Sequence, residues 1–133
     1  MKRSNLRSMM GVALAAGLCV LLSTWPAAAE YLTDGALTSG SPLGAYRANC
    51  YYRSHSVKPK AGATYTITLR SQQFDAYLVL VDPFGNIVAE DDDSGGNLDA
   101  LITHTAQVTG TYRIIATTFR PFTVGRYRLH VVP

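Results

Sequence analysis

Three consecutive aspartates, Asp91, Asp92 and Asp93, followed closely by Asn97 and Asp99, are the densest set of hard oxygen donors in the sequence. Carboxylates so close repel one another, and each stays ionised cheaply only if water, a cation or an Arg or Lys offsets its charge. Calcium takes about six to eight oxygen ligands, often from Asp-containing loops. Asp91, Asp92, Asp93, Asn97 and Asp99 are therefore candidate metal ligands, and Asp75 or Asp82 could join them if folding brings the hairpin ends together. The residue order is not that of an EF-hand loop. The competing reading is a solvated turn in which one aspartate caps backbone amides and the others pair with Arg113 or Arg126. Asp75, directly after Phe74, is read as a structural residue whose carboxylate bonds loop amides at the start of a strand.

A second candidate is aromatic. Of the eight tyrosines, Tyr65, Tyr112 and Tyr127 fall at core positions of alternating segments, whereas Tyr46, Tyr51 and Tyr52 have no clear facing. Exposed beside Arg47 and Arg53, these three would make a flat surface for an extended peptide or glycan, since aromatics and Arg dominate recognition sites; the alternative is ordinary strand residues. Catalysis finds no constellation. His55, His104 and His130 fall on different strands, the last two at positions where alternation predicts exposure, and no G-x-S-x-G elbow is present. Neither H-E-x-x-H nor paired cysteines suggest zinc. No catalytic residue is assigned, and the chain reads as a non-enzyme.

The elements that must position these residues are strands. Thr64 to Arg70 alternates strictly, with Tyr65, Ile67 and Leu69 on one face and Thr64, Thr66, Thr68 and Arg70 on the other, as a half-buried antiparallel strand requires. Tyr77 to Val81 is uniformly apolar, which fits a central strand covered on both sides. Asp82-Pro83-Phe84-Gly85 has the chemistry of a type I turn, and Ile87–Glu90 returns from it into the acidic loop. Leu98–Thr105, Thr111–Phe119 and Gly125–Val132 continue the series, preceded by an aromatic strand around Cys50 to Tyr52 and a short one at Ala36–Thr38. Seven or eight short strands without a helix outside the leader predict an all-β antiparallel sandwich of jelly-roll type.

The first 29 residues read differently. Lys2, Arg3 and Arg7 precede the apolar run Gly11–Leu22, and Ala27-Ala28-Ala29 supplies an A-x-A site, the pattern of a secretory signal peptide cleaved after Ala29. The run falls short of the roughly 20 residues a spanning helix needs, so no stable membrane span is expected. Leu18 before Cys19 argues against lipidation. Residues 30–133 then form one domain, secreted or periplasmic, carrying nine Lys/Arg against nine Asp/Glu. Such a balance gives no electrostatic reason to bind nucleic acid. Cys50 is left as a single thiol, read as a small buried residue rather than a reactive one, and the domain must hold by core burial as a monomer.

Several spaced motifs in order, Gly62-x-x-Tyr65-x-Ile67-x-Leu69, Phe74-Asp75-x-Tyr77-Leu78-x-Leu80, Asp82-Pro83-x-Gly85, Asp91-Asp92-Asp93, Thr109-Gly110-Thr111-Tyr112 and Gly125-x-Tyr127-x-Leu129-x-Val131, resemble the bacterial pre-peptidase C-terminal domain. The resemblance runs from about Thr33 to Val132. It implies a jelly-roll sandwich, usually an accessory module of secreted metallo- and serine peptidases. The implied role is non-catalytic: substrate binding, support of secretion or maturation, or stabilisation, sometimes with calcium. Here no peptidase accompanies the domain, so it is expected to act alone or in trans. The expected partner is an extracellular protein or polysaccharide, weakly bound, with calcium as the candidate cofactor. The alternative is docking on a separately encoded secreted peptidase or envelope component.

Overall fold

A computed structural model of the chain describes residues 30–133; the signal-peptide reading lies outside the described residues. Eight strands follow one another: β1 Tyr31–Leu37, β2 Tyr52–Val57, β3 Thr64–Arg70, β4 Ala76–Val81, β5 Ile87–Asp91, β6 Ala100–Thr105, β7 Tyr112–Thr118 and β8 Gly125–Val132. They form two four-stranded antiparallel sheets, in the orders β1-β8-β3-β6 and β2-β7-β4-β5. Successive strands pass from one sheet to the other, apart from the β4–β5 hairpin, which gives the face-to-face sandwich and the strand order of a jelly roll.

Alternation decides which side chains meet between the sheets. Tyr65, Ile67 and Leu69 of β3 and Tyr127, Leu129 and Val131 of β8 face Leu78 and Leu80 of β4 and Tyr112, Ile114 and Ala116 of β7 in one continuous core. Strand β4 lies inside its sheet between β7 and β5, and every residue but Tyr77 is buried. Its uniform apolarity follows because its second face is covered as well: Val79, Val81 and Ile115 form a smaller cluster beneath Tyr46, Tyr52 and Tyr77. The Asp82–Gly85 turn closes as its chemistry predicts. Gly85 N–H donates to the Asp82 carbonyl at 3.1 Å, while Asp82 Oδ1 accepts from the amides of Phe84 and Asn86. Cys50 is buried, as its residue type suggests.

Three expectations shift. Strand β1 is seven residues long rather than the short Ala36–Thr38 segment, because β8 offers a free edge along Gly125 to Val131 and pairs with all of it. Gly35 lets this happen: a Cβ there would stand 2.5 Å from the ring and hydroxyl of Tyr127. Strand β6 begins at Ala100 instead of Leu98, because Gly96, Asn97 and Leu98 take left-handed φ angles of 80°, 53° and 66° that no strand can contain. His104, expected to be exposed, shares the inward face with Ile102. It is half-buried, with its ring centroid 6.1 Å from that of Tyr112.

Candidate functional site

The aspartates of the acidic loop have separate tasks. Asp91 ends β5 and turns its carboxylate toward the chain that follows. Oδ2 accepts from Ser94 N–H at 3.0 Å and from Leu101 N–H at 2.9 Å, and Oδ1 accepts from the Ser94 hydroxyl. Burial alone would raise its pKa, but the Leu101 amide and the Ser94 hydroxyl and amide outweigh it and hold the group below the ordinary carboxylate value. Asp91 thus fastens β5 to β6, the next strand of the opposite sheet. Asp92 accepts from the amide of Asp93, and Asp93, fully exposed, is pushed up chiefly by the charge of Asp92. Asp99 meets Arg70, Oδ2 to Nε 3.5 Å.

The candidate metal ligands Asp91, Asp92, Asp93, Asn97 and Asp99 are spread along this loop, each with its own surroundings. Among the described residues no three carboxylate, imidazole or thiol groups converge as metal ligands, and Asp91 already has its oxygens occupied by amides and a hydroxyl. Arg113 donates instead to the Tyr46 hydroxyl, and the loop's ion pair is Asp99 with Arg70 rather than with Arg126. Asp75 also departs from expectation. Its backbone carbonyl accepts from Phe119 N–H at 2.8 Å, yet its Oδ1 is buried without a hydrogen-bond partner. Burial and the nearby charges of Asp92 and Asp93 raise its pKa, partly offset by Arg120 and Arg47.

The three candidate tyrosines are divided between the two sides of a sheet. The segment from Pro42 to Tyr51 folds over the outer face of the second sheet. It is fastened by Tyr52 N–H to the Pro42 carbonyl at 3.0 Å and by the Thr117 hydroxyl to the Tyr51 carbonyl at 2.7 Å. Tyr46 and Tyr52 meet edge to face, ring centroids 5.0 Å apart, and seal the smaller cluster, while Tyr51 packs against the main core. All three are half-buried. Arg47 lies over the Tyr77 ring at 4.0 Å and donates to the carbonyls of Thr118 and Phe119. Tyr46 and Tyr52 thus form part of a packed surface layer, with Tyr51 turned to the other side.

What the sequence did not single out is a groove at one end of the sandwich, enclosing about 1590 Å³ and running onto the outer face of the first sheet. Arg70, Arg120, Arg126 and Arg128 line it together with Asp34, Asp75 and Asp99, the side-chain amides of Gln72, Gln73 and Asn97, and Leu98. Its walls are fixed. The Ser71 hydroxyl donates to the Arg126 carbonyl at 2.6 Å and accepts from Gln73 and Phe74 amides, and Gln73 Oε1 accepts from Arg126 N–H at 2.6 Å. On the opposite rim the left-handed turn Gly96–Leu98 is held by Asp99 N–H to the Gly96 carbonyl and by Ala76 N–H to the Leu98 carbonyl. Two non-glycine residues in this region cost on the order of 1–2 kcal/mol each, and the turn uses that conformation to present Asn97 and an exposed Leu98 to the groove. The signal available in the sequence was the arginine spacing, Arg126-x-Arg128 on one strand face with Arg70 at the outward end of another.

No curated protein matches the chain. The family model described as the bacterial pre-peptidase C-terminal domain matches residues 51–118, a span that holds β2 to β7 with the β4–β5 hairpin, the Asp91 latch and the Gly96–Leu98 turn. With that match over half of the chain, and with the two-sheet fold around it, the protein is a member of the bacterial pre-peptidase C-terminal domain family.

Proposed function

We propose that this domain is a secreted, non-catalytic accessory module that holds an extracellular polymer, protein or polysaccharide, in the groove between Arg70, Asn97 and Arg126. Family membership supports a non-catalytic accessory role associated with peptidases. The observation that carries the binding assignment is the rim turn Gly96–Leu98. It is strained and clamped by backbone hydrogen bonds, and it shows an apolar side chain to solvent beside four arginines. Strain of this kind persists where the surrounding structure enforces it and is concentrated at ligand sites. An open groove of planar, multidentate polar groups suits weak, repeated contacts along an extended chain. Among the described residues no helix is long and apolar enough to cross a membrane.

The test is depletion of the purified protein from solution by insoluble collagen, chitin, cellulose and cross-linked polygalacturonate. Retention on at least one is expected, and it should fall with Asn97→Ala combined with Arg120→Ala. Binding to none of them rules out this reading.

Docking in trans on a separately encoded peptidase is the second reading, favoured by one observation. Leu98, Phe119, Phe122 and Val124, on the two loops beside the groove, are exposed by 52, 41, 61 and 46 %, and exposed apolar surface of this kind can mark a protein contact. On this reading Phe122→Ser abolishes cross-linking to a peptidase from culture supernatant and leaves polymer retention unchanged.

A further inference from the structure

The outer face of the first sheet carries a row of charges that crosses it from edge to edge. The ladder sets Asp34 of β1 opposite Arg128 of β8 and Arg128 opposite Arg70 of β3, and Arg70 in turn meets Asp99 just ahead of β6. The order is acid, base, base, acid. Two like charges directly across a ladder destabilise the pairing, so the central Arg70–Arg128 neighbours are offset only by the acids on either side, Asp99 and Asp34. Two residues along β8, on the same face, stands Arg126. Its cross-strand neighbour is Ala36, and its guanidinium has no anionic partner among the described residues. The flanking pair is exposed, 57 % for Arg128 and 68 % for Asp34. Exposed ion pairs contribute only about 0–1 kcal/mol, so an incoming carboxylate can share these arginines at little cost.

We infer that Arg70, Arg126 and Arg128 form a carboxylate-binding subsite and that the polymer held in the groove is an acidic polysaccharide bearing uronate groups. This rests on the polymer-binding reading and names its ligand class. Guanidinium forks match carboxylates in a planar, two-bond geometry. Asp34, Asp99, Gln72 and Asn97 add acceptors and amides suited to sugar hydroxyls. A peptide fits less well here. Peptides commonly bind by adding a strand to a sheet edge, whereas β8 and β3 lie inside their sheet with both edges paired, so this face offers side chains alone. Because residues 30–133 are charge-balanced, attraction is local to the three arginines and is screened by salt.

Titration calorimetry with soluble polygalacturonate, its carboxyl-reduced derivative and polyglutamate tests this. Polygalacturonate binds, weakening about tenfold between low and high salt, and the reduced polymer does not. Arg126→Gln and Arg128→Gln each weaken binding about fivefold or more with an unchanged melting temperature, while Asp34→Asn, which releases Arg128, tightens it. Equal binding of parent and reduced polymer, or arginine variants at wild-type affinity, overturns the subsite while polymer binding stands. Polyglutamate bound as tightly as polygalacturonate overturns the polysaccharide assignment. Absence of binding to any of these and to insoluble collagen, chitin and cellulose overturns both readings together.

Discussion

Asp91 shows how much one carboxylate can do without a ligand. It accepts from two backbone amides and one hydroxyl; the Ser94 donors are open to water and the Leu101 amide is part-buried, so losing the acceptor costs about 1–2 kcal/mol. Asp91→Ala is expected to lower unfolding stability by that amount at neutral pH, measured by urea denaturation. Because its pKa is lowered below the ordinary 3.8, the stabilisation is fully present above that value and is lost as pH falls through the folded value. The difference between wild type and Asp91→Ala should therefore shrink in acid; a constant difference down to pH 2 would contradict the latch. Calcium follows from the same geometry. With Asp91 engaged and no convergent ligand set among the described residues, millimolar calcium and chelator should give melting temperatures within about 1 °C, since only binding to the native state raises the midpoint. A rise of several degrees with calcium would show that the loop rearranges around the ion. The sequence made the acidic run conspicuous but could not separate its members. The Leu101 amide lies ten residues beyond Asp91 and arrives only when β6 crosses to the other sheet.

At the scale of elements, β3, β4, β7 and β8 were legible because each has one or both faces buried and so carries a clear pattern. Tyr65, Tyr112 and Tyr127 do face the core, and the Asp82–Gly85 turn was readable from Pro83 and Gly85. Strand β1 was harder to see. It is an edge strand whose outward residues Leu32, Asp34 and Ala36 follow no polarity pattern, and it forms because β8 has an open side. The facing of Tyr46, Tyr51 and Tyr52 was illegible for a related reason. Their facing depends on the Pro42–Tyr51 segment folding back over β4 and β7, a tertiary choice with no local signature. Gly35 is where β1 depends most on one residue. The Tyr127 hydroxyl lies 2.7 Å from His55 Nε2, and the ring is buried, so it cannot swing away from an added Cβ. Gly35→Ala should cost about 1–3 kcal/mol, as overpacking does. Thermal unfolding that matches wild type would mean that β1 docks more loosely than this geometry implies.

On the scale of the molecule, the sandwich separates scaffold from surface. One outer face is closed by its own tyrosines. The other is open, and its groove draws residues far apart in sequence: Asp34 from β1, Arg70 at the end of β3, Asn97 ahead of β6 and Arg126 from β8. That assembly could not be read along the chain, because its members are up to a domain apart and are ordinary surface residues singly. The family's motifs, by contrast, were legible together, since most of them mark turns and core positions that any such sandwich needs.

The most direct test of the groove is an amide-resolved NMR titration with soluble oligomers of chitin, cellulose and polygalacturonate and with a collagen-type peptide. At least one is expected to shift the amides of Ser71–Phe74, Asn97–Asp99 and Arg126–Arg128 together, leaving those of Tyr46, Tyr51 and Tyr52 unmoved. Shifts confined to the covered face or to the β2 and β5 edges, or no shifts with any ligand, would contradict it.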